Sequence, residues 1–323
     1  MKICVLGAGA YGLALSKVML DNNHKVVVWT KVASEKEEIK RLGYCPKLPN
    51  YKIPSNLEIS TDLEYSLKQS DLVIFAVPAK FASSVASELS KYYNGEHIII
   101  ATKGIEQESC LFISDVISKY VPTDKLGAIS GPSFAVDIVN GIPIGLSLGS
   151  SNSETISLAK QAFENNYFKF NETNDIIGLE ICGAVKNVLA IASGMIVGMN
   201  LPISSQAMFI TEALNEVKKL IKELGGDPDT ILSFAGFGDI LLTCTSEKSR
   251  NFTFGKMIGE GLSEEELSDF INKTTIEGLY TLKSIAKLIS DRKINMPMIN
   301  TIDDVVEGKK DPQKVIQLLF ERK

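Results

Sequence analysis

Histidine is nearly missing from this sequence. Two occur among 323 residues, His24 and His97. A Ser-His-Asp hydrolase or a dehydrogenase built on a catalytic imidazole needs a His at its centre. Each of these two stands just ahead of a strand-like run, KVVVW and IIIA, and reads as a turn residue. Cysteine is sparse as well. Cys4, Cys45, Cys110, Cys182 and Cys244 are scattered with no C-x-x-C pair. That pattern excludes a disulfide frame or a zinc site and points to reduced thiols in a cytoplasmic protein. An excess of basic charge is lacking: 34 Lys and Arg against 39 Asp and Glu give a net charge of -5. A nucleic-acid-binding body would carry a basic stripe. Met1-Lys2 lead straight into a strand-like run without the layout of a signal peptide. No apolar stretch reads as the ~18 residues of a spanning helix. What remains is ordinary globular material, 45% hydrophobic and 23% charged, long enough for about two domains.

The chain opens with a short apolar run, KICVL, followed at once by Gly7-Ala8-Gly9-Ala10-Tyr11-Gly12. Residues 13–20 are then apolar at helical spacing, and KVVVW reads as a second strand. Strand, G-x-G-x-x-G, helix and strand within one short span is the layout of a dinucleotide site. Its glycines permit a tight turn, close approach of main-chain N–H groups to a pyrophosphate, and close helix–strand packing. The helix N-terminus then presents its partial positive charge to phosphate. An NAD-specific site places Asp or Glu after the second strand. Here Thr30-Lys31 stand there. A Lys suits a 2′-phosphate, so both NAD(H) and NADP(H) are admitted, and Glu35 lies close by. Strand-like runs continue at DLVIFAV, HIIIAT and LGAIS, then at residues 142–148 and 167–170. Alternating strands and helices imply a doubly wound, mostly parallel sheet, with ligands outside the carboxyl ends of its strands. Those ends carry Gly7–Gly12 residues, Lys103-Gly104, and Gly131-Pro132-Ser133.

After about residue 175 helical spacing takes over. We therefore expect an α/β architecture, with a Rossmann-type domain over 1–175 and an all-α domain over 176–323. In the first long helix of the second domain, EICGAVKNV interrupts an apolar run with Lys186 and Asn187. Three placements stand open for this Lys: buried and paired, snorkelling to solvent, or pointing into a site. A desolvated Lys can exchange a proton with a substrate oxygen near neutral pH. Further on, Gly236-Phe237-Gly238-Asp239, Thr243-Cys244-Thr245 and Ser249-Arg250-Asn251 gather a carboxylate, hydroxyls, a guanidinium and an amide around glycines. An Arg there suits a phosphate.

These motifs, in this order, resemble the bacterial NAD(P)-dependent glycerol-3-phosphate dehydrogenases over nearly the whole chain: GAGAYG, KGI from Lys103, SGPSFA from Ser130, EICGAVKNV, GFGD with TC, and SRN. The resemblance implies interconversion of dihydroxyacetone phosphate and sn-glycerol 3-phosphate for glycerophospholipid synthesis, without a metal, in a cytoplasmic homodimer. It implies Lys186 as proton donor and acceptor, aided by Lys103 and Asp239. It implies substrate contacts from Lys103, Gly131, Ser133, Lys186, Asn187, Asp239, Thr243, Ser249, Arg250 and Asn251. Coenzyme contacts would come from Gly7, Gly9, Ala10, Tyr11, Gly12, Lys31, Lys103, Ala135, Arg250 and Glu277. The family often has W-G-R/H where this chain has Trp29-Thr30-Lys31, and Y-L-P where it has Lys47-Leu48-Pro49. Two rival readings are another Lys-dependent hydroxyacid dehydrogenase and a catalytically silent NAD(P)-binding regulator.

Overall fold

The structure, a computed structural model, describes residues 1–321, and at Asn50 the main chain alone. The chain divides into two compact units: one of Met1–Glu106 with Ile113–Ile176, the other of Gln107–Phe112 with Ile177–Lys323.

In the first unit the strands are β1 Lys2–Leu6, β2 Lys25–Trp29, β3 Tyr44–Cys45, β4 Leu48–Lys52, β5 Glu58–Ser60, β6 Leu72–Phe75, β7 His97–Ile100, β8 Leu126–Ser130, β9 Ile144–Gly149 and β10 Phe168–Thr173. Its helices are α1 Ala10–Asp21, α2 Ala33–Leu42, α3 Leu63–Leu67, α4 Ala82–Leu89, α5 Ile113–Ser118, α6 Ala135–Val139 and α7 Ser153–Phe163. The main sheet runs β10-β9-β8-β7-β6-β1-β2-β5, with β3 and β4 forming a separate hairpin. All of its pairings are parallel except β8 with β9. The β-branched runs VVV and III are buried on both faces, as strands covered by helices on each side must be. Residues two apart share a face. Ile3, Val5, Val26, Val28, Leu72, Ile74, Ile99 and Ile129 accordingly join one core cluster with Leu13, Leu15 and Val18 of α1 and Ile138 of α6.

His97 corrects the reading of a turn residue. It is the first residue of β7 and is buried, its Nδ1 2.7 Å from the Thr155 hydroxyl on α7. It pairs with Leu72 on β6, so the strand-like run HIIIAT begins at the His itself.

The second unit is helical: α8 Ile176–Gly198, α9 Ile203–Glu223, α10 Asp239–Thr245, α11 Arg250–Gly259, α12 Glu264–Lys273, α13 Glu277–Asp291, α14 Pro297–Val306 and α15 Gln313–Glu321. The caps follow the sequence. Gly225 takes a φ of +87° after α9, and Ser263 with Glu266 forms a capping box on α12. One expectation needs amending. Helix α8, at 23 residues, is long and apolar enough to cross a membrane by length and composition. Of its most apolar window, 94% is buried inside the protein, so side chains rather than lipid cover it.

Candidate active site

The nucleotide cradle of the first unit is built by three glycines. Gly7 follows β1 with a φ of +118°, and a Cβ there would lie 2.6 Å from the Ala76 carbonyl oxygen. A Cβ on Gly12 would lie 2.2 Å from the Gly7 carbonyl oxygen, so only glycine lets α1 return this close to the strand. Gly9 differs: a Cβ there would meet nothing within 4 Å. It is the N-cap of α1 and supplies no side-chain partner to the first N–H groups. Open space in front of a helix N-terminus, whose first N–H groups find no carbonyl within the helix, is what a pyrophosphate requires, and the residues present fit NAD(H) or NADP(H).

Beside the cradle, Lys103, Gly131, Ser133 and Tyr11 come together. The Lys103 ammonium donates to the Gly131 carbonyl at 3.2 Å and sits 5.5 Å from the centroid of the Tyr11 ring. The Tyr11 and Ser133 hydroxyls lie 3.2 Å apart. The first residue of α6 is Ala135. At the end of β2, Lys31 is exposed and pairs with Glu88 of α4 at 3.1 Å, while Glu35 accepts the Thr30 hydroxyl at 2.6 Å. The Lys31–Glu88 pair was not foreseen. Nothing in local spacing links residues 57 apart.

In the second unit, Lys186 takes the buried and paired placement. It donates to Asp239 Oδ1 at 2.7 Å, with relative exposures of 8% for the Lys and 1% for the Asp. Asp239 is the first residue of α10 and is delivered by a π-helical turn, Phe234–Gly238. Such turns re-aim the residues that follow them. Gly236 is needed inside it, because a Cβ would lie 2.2 Å from the Ile231 carbonyl oxygen. The Thr243 hydroxyl donates to the Asp239 carbonyl at 2.6 Å. Burial pushes the neighbouring Cys244 thiol well above its ordinary range, so it stays neutral.

Asn187, the next residue on α8, accepts from the Asn251 amide at 3.0 Å. The Asn251 side-chain Oδ1 accepts from Gly278 N–H at 2.8 Å. These bonds tie α8, α11 and α13 together beneath the site. Ser249 caps α11 by accepting from Phe252 N–H, Arg250 is exposed at the first position of that helix, and Glu277 is exposed at the first position of α13. Sequence reasoning missed why α11 lies where it does. A Cβ on Gly255 would fall 1.8 Å from the Ile191 carbonyl oxygen, and one on Gly194 would fall 2.1 Å from that of Phe252. The signal was present as G-x-x-x-G spacing in both helices, Gly194 with Gly198 and Gly255 with Gly259. Among the described residues no group of His, Cys, Asp and Glu could hold a metal ion.

Two family models match the chain: the N-terminus of NAD-dependent glycerol-3-phosphate dehydrogenase over residues 2–156, and its C-terminus over residues 175–317. A glycerol-3-phosphate dehydrogenase [NAD(P)+] from Halorhodospira halophila is 35% identical over 99% of this chain and 96% of its own length. Its counterpart from Agathobacter rectalis is 32% identical with the same coverage. The solved glycerol-3-phosphate dehydrogenase of Coxiella burnetii superposes with a TM-score of 0.91 at 32% identity, covering 99% of both chains.

Proposed function

The chain belongs to the family of NAD-dependent glycerol-3-phosphate dehydrogenases, and on that premise we propose that Lys186 is the proton donor and acceptor of its reaction. The protein is an oxidoreductase that interconverts dihydroxyacetone phosphate and sn-glycerol 3-phosphate with NAD(H) or NADP(H). The observation that carries the role of Lys186 is its buried ion pair with Asp239 at 2.7 Å. Removing an ammonium from water costs several kcal/mol. Apart from Glu180, the residues that α8 buries around this Lys are apolar or small and neutral, and its ammonium is matched by the Asp239 carboxylate of α10.

When bound, NAD(P)H supplies the hydride. Lys186 gives a proton to the carbonyl oxygen of the ketone as negative charge develops there; in the reverse direction it takes the proton from the hydroxyl. Asp239 fixes the direction of the ammonium, and Thr243 holds the main chain of Asp239. Lys103 stands over Tyr11 beside Ser133 and Gly131, where it binds and neutralises an anionic substrate. Arg250 offers a planar donor pair to phosphate, aided by Ser249 and Asn251, with Asn187 orienting the amide. Gly7, Gly9, Ala10, Tyr11 and Gly12 receive the coenzyme pyrophosphate, and Lys31, Ala135 and Glu277 complete the coenzyme contacts.

We place the enzyme in the cytoplasm, supported by five buried cysteines that form no disulfide, with glycerol 3-phosphate for glycerophospholipids as its product. Its active form is a homodimer, which light scattering on the purified protein checks. The test of substrate class is oxidation of NADH and NADPH with dihydroxyacetone phosphate, and with dihydroxyacetone as control. Turnover confined to the phosphorylated ketone is expected. Equal turnover of both ketones would remove the phosphate from the site.

A further inference from the structure

We propose that Gln206 and Ser193 are positioning residues for Asp239, acting by clamping the far end of the helix that carries it. This rests on the reading of Lys186 and Asp239 given above. Helix α10 has only seven residues, and the last carbonyls of a helix have no partner within it. The Cys244 carbonyl, in the last turn, finds two partners from other helices. The Ser193 hydroxyl of α8 donates to it at 2.7 Å, and the Gln206 amide of α9 donates to it at 3.0 Å. The same amide nitrogen donates to Ser193 Oγ at 3.0 Å. The triangle is closed: both amide protons and the hydroxyl proton are used. All three residues are buried, Ser193 and Cys244 completely.

The arrangement along α8 gives this clamp its consequence. Lys186 and Ser193 are seven positions apart, about two turns, and so lie on one face. Asp239 and Cys244 are the near and far ends of α10. Lys186 thus holds one end of α10 and Ser193 with Gln206 the other, and the two helices run in the same sense. One attachment leaves a pivot. Two attachments fix the direction in which the Asp239 carboxylate meets the ammonium. Gln206 is in the first turn of α9, and its amide reaches α10 at Cys244 and α8 at Ser193.

The experiment compares Gln206→Met, Asp239→Asn and the double variant Gln206→Met/Asp239→Asn in NADH-dependent reduction of dihydroxyacetone phosphate. NADH affinity is measured in parallel by fluorescence titration. Met fills about the same volume without donors. Gln206→Met is expected to lower kcat by on the order of 10- to 100-fold, the scale of a misplaced catalytic contact, with NADH affinity unchanged. Adding Gln206→Met to Asp239→Asn is expected to cost nothing further, because residues acting through one group are not additive. Ser193→Ala, a smaller change, is expected to show the same pattern. Full kcat in Gln206→Met beside an impaired Asp239→Asn overturns the clamp. So does a loss that repeats in full on the Asp239→Asn background. Full kcat in Asp239→Asn would instead overturn the role of Asp239 and the clamp with it.

Discussion

Lys186 lies halfway along a helix whose residues from 178 to 196 are all buried. Its partner is 53 positions away in sequence, at 2.7 Å in space. No periodicity pairs such residues. The sequence made the Lys conspicuous by its apolar surroundings and left three placements open, and only the fold selects among them. The same scale governs substrate and coenzyme choice. Arg250 is exposed and Lys103 half-buried. Arg250→Ala is expected to raise the KM for dihydroxyacetone phosphate by about 10-fold or more, the cost of a lost charged hydrogen bond of about 1.5–3 kcal/mol. Steady-state kinetics check this, and an unchanged KM would remove the Arg from the phosphate site. Lys31 is held by Glu88 in a pair that is open to solvent, and such pairs are worth about 0–1 kcal/mol. Glu88→Gln is therefore expected to raise the rate with NADPH relative to NADH by a few-fold at most. Lys31→Ala is expected to shift the ratio the opposite way. A ratio indifferent to both changes would mean that neither charge reaches the ribose.

At the level of elements, the strands and helices that frame the cradle were legible because their patterns are local. β1, the glycine turn, α1 and β2 announce themselves within the first 29 residues. The long helices of the second unit were legible for the same reason, as the helical spacing that takes over after about residue 175. The β3–β4 hairpin and the π-helical turn at Phe234–Gly238 were not. A π-helical turn has no repeat to detect, and its glycine answers to Ile231 rather than to a neighbour in the pattern. Glycines also separate two kinds of requirement. Gly255→Ala would drive a methyl against the Ile191 carbonyl, displace α11 and Asn251 with it, and is expected to cost about 2–4 kcal/mol with a clear fall in Tm. Gly9→Ala has open space before it and is expected to leave Tm unchanged, while weakening coenzyme binding by on the order of tenfold, about 1.4 kcal/mol. Thermal melts and fluorescence titration of both variants check the contrast; an unstable Gly9→Ala would make that glycine structural.

For the whole molecule, the chain divides into a sheet-based unit and a helical unit, and the short segment Gln107–Phe112 belongs with the helical one. The least legible part is how buried polar groups in each unit are satisfied, because that depends on partners brought in by the fold. His97 illustrates it. Burial lowers its pKa below the ordinary value of 6.5, with Glu154 opposing in part. The unfolded chain therefore binds more protons than the folded one as pH falls past the unfolded value. Stability contributed by the neutral imidazole is present above about pH 6.5 and is lost as pH drops toward the lower folded value. Wild-type Tm is expected to fall more steeply than that of His97→Gln across this window; parallel curves would mean that His97 titrates alike in both states.

The most direct test of the chemistry is Lys186→Met, assayed for reduction of dihydroxyacetone phosphate by NADH beside its affinity for NADH. Met keeps the length of the side chain and removes the proton. A fall in kcat of about 100- to 10,000-fold, the usual contribution of a positioned acid, with coenzyme affinity retained, is the expected result. Turnover near the wild-type rate would contradict the role of Lys186, and a matching loss of coenzyme binding would make the Lys a structural residue of α8.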